Sequence, residues 1–206
     1  MGFYREQVVP RIVEKACGGA AMTPLRDRVC EGLSGDIVEI GFGSGSNVTS
    51  YPPEVTRVLA VEPSTVGRGL GADRIAASAV PIEFIALHGE ALPLADASCD
   101  GALCTFTLCT IPGVEAALAE LRRVLRPGAP FHFLEHGSAP DPSVRTWQQR
   151  LEPMQKRLAD GCHLTRDPVE LVRRAGFRID TFESFYARGP KPWVYFTLGR
   201  ATAPQH

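Results

Sequence analysis

The sequence predicts an α/β fold: a doubly wound, seven-stranded sheet whose last strand belongs to an antiparallel hairpin. Three observations carry this. Short apolar runs alternate with helical periodicities from residue 35 to about 135, the pattern of a parallel sheet covered on both faces. A glycine turn, Gly41-Phe42-Gly43-Ser44-Gly45, follows the first of these runs directly. After Pro140 the alternation changes, and two apolar runs close the chain around Gly189-Pro190-Lys191-Pro192, a segment suited to a hairpin connection.

The elements follow in order. Residues 3–17 read as a helix with Val8, Val9, Ile12 and Val13 on one side, bent or interrupted at Pro10. A second helix starts near Pro24 and runs to about Leu33. Strands are expected at Ile37–Ile40, Val55–Val61, Ile82–Leu87, Cys99–Phe106 and Phe131–Leu134. Residues 65–78 form a helix weakened by Gly67, Gly69 and Gly71. Val114–Leu125 is strongly amphipathic and is stopped by Pro127-Gly128. Residues 143–159 give an inserted helix, broken near Pro153, and Pro168–Ala175 a last one, stopped at Gly176. Ile179–Phe185 and Trp193–Leu198 are the closing strands. A single domain over residues 1–206 is expected, with N-terminal helices over about 1–34 and an inserted segment over about 140–166.

Composition narrows the function. The balance of 22 basic and 23 acidic residues gives no electrostatic reason to expect nucleic acid as a partner. No apolar run approaches the roughly 20 residues of a membrane span. The first residues lack signal-peptide character, so a cytoplasmic location is expected. The six cysteines form no CxxC pair, so neither a zinc knuckle nor a disulfide framework is expected, and no metal. Monomer and homodimer both remain open.

The glycine turn carries the chemistry. Gly41, Gly43 and Gly45 permit tight turns and close approach of a ligand. The turn is expected to open a helix whose free N–H groups receive polar oxygens. It lacks the Gly-Lys-Ser/Thr ending of a phosphate-binding loop. Glu39, just before it, suits a ligand with positive charge, such as the amino group of a methionyl moiety, rather than a pyrophosphate. Asn47 is placed to position the loop or to meet a carboxylate. Glu62 ends the second strand, where a carboxylate accepts both hydroxyls of a ribose. Pro63 follows it. Gly89-Glu90-Ala91 follows the third strand, with Glu90 facing an exocyclic amine and Ala91 lining a ring.

Val38–Asn47, Val61-Glu62-Pro63, His88–Pro93, Cys99-Asp100 and Leu121–Gly128 together resemble the class I S-adenosylmethionine-dependent methyltransferases, whose fold is Rossmann-like. A narrower set resembles the methyltransferase-like thiol methyltransferases: Tyr51-Pro52-Pro53, Cys104–Cys109, Phe133-Leu134-Glu135-His136, Trp147-Gln148-Gln149, Glu152-Pro153 and Asp160–Arg166. Phe42 and Ser44 stand where that family carries Cys and Thr, and the three glycines are intact.

The resemblance implies methyl transfer from S-adenosylmethionine, leaving S-adenosylhomocysteine, to a small lipophilic acceptor, with sulfur favoured. The alternatives are O-, N- or C-methylation of a quinone-like, lipid or secondary metabolite, and a non-catalytic nucleoside-binding protein. A thiol, with a pKa of about 8.5, needs little activation. The resemblance places Thr105 and Leu108 beside the methionine portion and Tyr4 in a lid. It brings Cys109 and His136 to the acceptor side as catalytic candidates, with His136 positioned to take a thiol proton. Trp147, Cys162 and His163 of the inserted segment are the expected substrate walls.

Overall fold

In the computed structural model, residues 3–85, 91–159 and 161–205 are described. Seven strands form one sheet: β1 Gly35–Ile40, β2 Val55–Val61, β3 Ile82–Ile85, β4 Gly101–Thr105, β5 Pro130–His136, β6 Arg178–Tyr186 and β7 Tyr195–Thr202. Their order is β3-β2-β1-β4-β5-β7-β6. The first five are parallel. β7 inserts antiparallel between β5 and β6. The expected fold class is therefore the observed one.

Strand order reverses between β1 and β4, which pair in register from Ile37 with Gly101 to Ile40 with Cys104. Ligands of open α/β sheets bind at the carboxyl ends of the strands at such a reversal. The glycine turn after β1 and the Phe106–Cys109 loop after β4 stand on its two sides.

Among the described residues, seven α-helices cover the sheet: α1 Val9–Cys17, α2 Thr23–Cys30, α3 Thr65–Leu70, α4 Ala72–Ala76, α5 Val114–Val124, α6 Pro142–Leu158 and α7 Pro168–Arg174. Alternation along each strand divides the core in two. Val38, Cys104, Phe131 and Phe133 pack with Leu118, Leu121 and Val124 of α5 and Val172 of α7. Ile37, Leu103 and Leu134 pack with Val29 and Cys30 of α2 on the opposite face. Each fully buried aliphatic or aromatic side chain contributes about 1.5–3 kcal/mol. The same alternation turns Glu39 and Thr105 toward the α2 face.

Several local expectations are corrected. The glycine turn opens only a 3-10 turn, Val48–Ser50, and no α-helix. Tyr51-Pro52-Pro53 follows at once, and proline cannot continue a helix. The first helix is not α-helical throughout: Tyr4–Val8 is a π-turn that runs directly into α1, and Pro10, which has no N–H to give, lies at this change of helix type. The 65–78 helix is split into α3 and α4 at Gly71, where a side chain would strike the Ser44 carbonyl. α6 runs unbroken through Pro153.

Candidate active site

The three glycines have different neighbours. All adopt positive φ: +73° at Gly41, +59° at Gly43 and +70° at Gly45. A β-carbon on Gly41 would fall 2.0 Å from the Thr107 hydroxyl, and one on Gly45 would press on the Phe42 ring at 2.9 Å. At Gly43 the nearest atom would be 3.9 Å away. Gly41 and Gly45 thus serve internal packing, while Gly43 faces open space.

Glu62 is held against this turn. Its Oε2 accepts from Gly43 N and its Oε1 from Ser64 N, both at 2.7 Å. Burial raises its pKa, opposed by those two bonds. Each oxygen keeps a lone pair for a further donor. An open Gly43 beside a carboxylate with spare acceptor capacity is a cradle that a ribose would fit.

Glu39 is fully buried. One oxygen accepts from Asn47 Nδ2 at 2.9 Å and the other from the Tyr51 hydroxyl. Burial pushes its pKa up to about 7 against those bonds. Asn47 in turn donates to Thr105 Oγ1 at 3.0 Å. The sequence reading missed the group that completes this network, Arg26 of α2. Its guanidinium donates to Asn47 Oδ1 at 2.6 Å, Thr105 Oγ1 at 3.1 Å and the Cys17 carbonyl at 2.8 Å. Glu39, Asn47 and Thr105 therefore lie together beneath the glycine turn, tied to one another.

Arg26 also stacks over Phe106, 5.5 Å from its centroid. Phe106 has φ +54°, a conformation costly for an aromatic residue and characteristic of functional turns. The turn is held by Glu135, a second residue without a role in the sequence reading. Its Oε1 accepts from Thr107 N at 2.8 Å and Leu108 N at 3.0 Å, and its Oε2 has no hydrogen-bond partner. Burial raises its pKa. The side chain of Leu108 is itself buried in the core.

Cys109, His136 and Cys162 converge from three elements. His136 Nε2 lies 3.0 Å from Cys162 Sγ, and the two sulfurs are 3.7 Å apart. Contact with Cys109, then with His136, holds the Cys162 thiol well below its ordinary range, while the same sulfur contact and burial push Cys109 up. Burial opposes the His136 imidazolium, but Cys162 outweighs it and raises the His136 pKa. The loop carrying Cys162 is stitched down around it. His163 N donates to the Cys109 carbonyl at 2.8 Å, and Arg166 donates to the carbonyls of Leu108 at 2.6 Å and Ile111 at 2.8 Å. Glu152 of α6 accepts from Leu164 N at 2.7 Å and pairs with the His163 ring at 2.8 Å.

The remaining candidates spread out. The His163 ring faces Glu152 rather than the cysteines. Trp147 is 55% exposed, beneath Arg150. Pro63 and Ala91 are exposed, and Gly89 and Glu90 lie outside the described residues. Tyr4 donates to the Leu158 carbonyl at 2.9 Å. Glu14 of α1 contacts Ser44 and pairs with Arg74 at 3.2 Å. The N-terminal segment thus spans from the glycine turn to the end of α6.

Comparison with known proteins agrees with this architecture. Residues 38–133 match the Methyltransferase domain family. Human thiol S-methyltransferase TMT1B is 35% identical over 183 residues, covering 82% of this chain and 69% of that protein. The rat TMT1B is 37% identical over 154 residues, 68% of this chain and 59% of that protein. This chain thus spans 59% of the rat protein's length in that match. A methyltransferase structure from Bacillus halodurans superposes with a TM-score of 0.71 at 13% identity, over 88% of this chain and 98% of that one. That likeness carries the fold. The chain belongs to the S-adenosylmethionine-dependent methyltransferases. Within them, the thiol S-methyltransferases are among its relatives.

Proposed function

We propose that this chain transfers the methyl group of S-adenosylmethionine to the sulfur of a small, lipophilic thiol. The observation that carries the reading is the junction of two sites at one sheet edge. Thr107 packs on Gly41 of the glycine turn, and Cys109, two residues on, joins His136 and Cys162. The thiol S-methyltransferase activity of the relatives supports sulfur as the accepting atom.

When bound, the donor supplies an electrophilic methyl group on a sulfonium sulfur. Glu62 receives the ribose hydroxyls, and Gly43 allows close approach. Gly89, Glu90 and Ala91 remain assigned to the adenine. Glu39 acts through Asn47 and Thr105, fixing the turn on which the methionine end rests. The Tyr4 segment shields the site from water. Approximation of two well-oriented groups supplies much of the catalysis. The His136–Cys162 pair takes up the proton that the acceptor thiol loses. Cys109 keeps that pair polarised.

The test is incubation of purified protein with methyl-labelled S-adenosylmethionine and a panel of hydrogen sulfide, alkyl thiols, phenols and quinols. Labelled thioether is expected. Label on oxygen or carbon with none on sulfur overturns the acceptor assignment.

A further inference from the structure

We propose that Cys109, His136 and Cys162 form a three-ligand site for a thiophilic divalent cation, zinc above all, whose fourth position is open to the acceptor thiol. The last clause rests on the thiol reading above; the metal site does not. Among the described residues, one group of three metal-ligating side chains converges, and it is this one, with all ligand atoms within 4.8 Å of one another.

The sulfur–sulfur distance suits tetrahedral coordination. Two thiolates on one zinc, each at about 2.3 Å, stand roughly 3.8 Å apart. The sulfurs here are 3.7 Å apart. A nitrogen and a sulfur on the same ion stand about 3.6 Å apart, so the 3.0 Å between His136 and Cys162 must open by about half an ångström. The donor set, two soft thiolates and an imidazole, is one that zinc favours, and three protein ligands with one vacancy is the catalytic arrangement. The ligands are also fixed in advance. His163 N holds the Cys109 carbonyl, and Arg166 holds the carbonyls of Leu108 and Ile111. The absence of a local zinc spacing in the sequence is no objection, since the spacing is made by folding Cys162 onto Cys109 and His136.

The chemistry balances. On loading, the protons shared by the two thiols and the imidazole leave to solvent, and two thiolates neutralise the dication. In the loaded site His136 and Cys162 are ligands rather than proton acceptors, and an acceptor thiol that takes the fourth position releases its proton to solvent. Its sulfur lone pair forms the new S–C bond as the bond from methyl to sulfonium sulfur breaks. The neutral thioether is a weak ligand and leaves.

The experiment uses the full, tag-free chain, reduced and then freed of reductant. Elemental analysis is expected to find about one zinc per chain. Cobalt added to chelator-stripped protein is expected to give thiolate charge-transfer and tetrahedral d–d bands, and the d–d bands are expected to shift with an alkyl thiol. Loss of an outer-shell partner costs roughly 10–100-fold in metal affinity, so Cys162→Ser is expected to lose more than about 100-fold. The cobalt titration of unsubstituted protein stands even if that variant does not fold. Reduced, folded protein that binds neither zinc nor cobalt overturns the metal site. Bands that ignore the thiol overturn the open position. Thiol methylation by metal-free protein overturns the metal-bound acceptor and leaves the proposed function standing; label on oxygen or carbon with none on sulfur overturns the proposed function and leaves the metal site standing.

Discussion

Gly41 lies directly against Thr107, so closely that one added methyl group would sit 2.0 Å from the threonine hydroxyl. This contact locks the loop after β1 to the loop after β4. Gly41→Ala is expected to destabilise the protein by more than about 2 kcal/mol, because a left-handed backbone costs roughly 1–2 kcal/mol and the clash adds to it. Gly43→Ala, with open space around it, is expected to cost about 1 kcal/mol from backbone strain alone. Urea unfolding of both variants checks this, and equal losses would refute the division of roles between the two glycines.

Arg26→Met is expected to cost about 3 kcal/mol, since it leaves Asn47 Oδ1 and the Cys17 carbonyl without their buried donor. Affinity for S-adenosylhomocysteine is expected to fall with it, because Asn47 and Thr105 lose their common anchor. An unchanged melting temperature would show that Arg26 is not the tie between α2 and the glycine turn.

Glu39 makes stability depend on pH in a defined direction. Its folded pKa of about 7 exceeds the ordinary 4.5. The folded state therefore holds the proton more tightly. Its stabilising contribution is complete below the unfolded value and is lost as pH rises from about 4.5 to about 7. The loss is on the order of a few kcal/mol. Glu39→Gln is expected to flatten the profile across that window in thermal denaturation at constant ionic strength. A variant profile parallel to the parent's would assign the pH dependence to other groups.

Glu62→Ala is expected to weaken S-adenosylhomocysteine binding by roughly 10–100-fold, the loss of one to two hydrogen bonds to a charged acceptor. Calorimetric titration measures it directly. Unchanged affinity would remove Glu62 from the ribose site.

The strands and the glycine turn were legible because each is a local pattern. Ile37 and Val38 point into opposite cores, and the hairpin announces itself at Gly189–Pro192. Arg26 was hidden because an arginine in a short helix reads as a solvated surface group; only its burial against Asn47 shows otherwise. Glu135 stood in plain view beside His136, yet its hold on Thr107 N and Leu108 N depends on the loop folding back over the strand end. The cysteine–histidine group joins residues 26 and 53 positions apart, beyond any local spacing rule. Continuation of α6 through Pro153 was equally illegible, because long-range ties hold the helix on both sides of the proline, Gln148 to the Pro192 carbonyl before it and Trp193 to Gln155 after it.

Glu62 is already aimed before any ligand arrives. With Gly43 N on one oxygen and Ser64 N on the other, its carboxylate has no free rotor left to quench. Freezing such a side chain on association ordinarily costs about 0.5–1.5 kcal/mol. Folding has met that entropy here, so hydroxyl groups brought to this oxygen pair would meet a rigid, pre-set acceptor, and would gain affinity without any new contact.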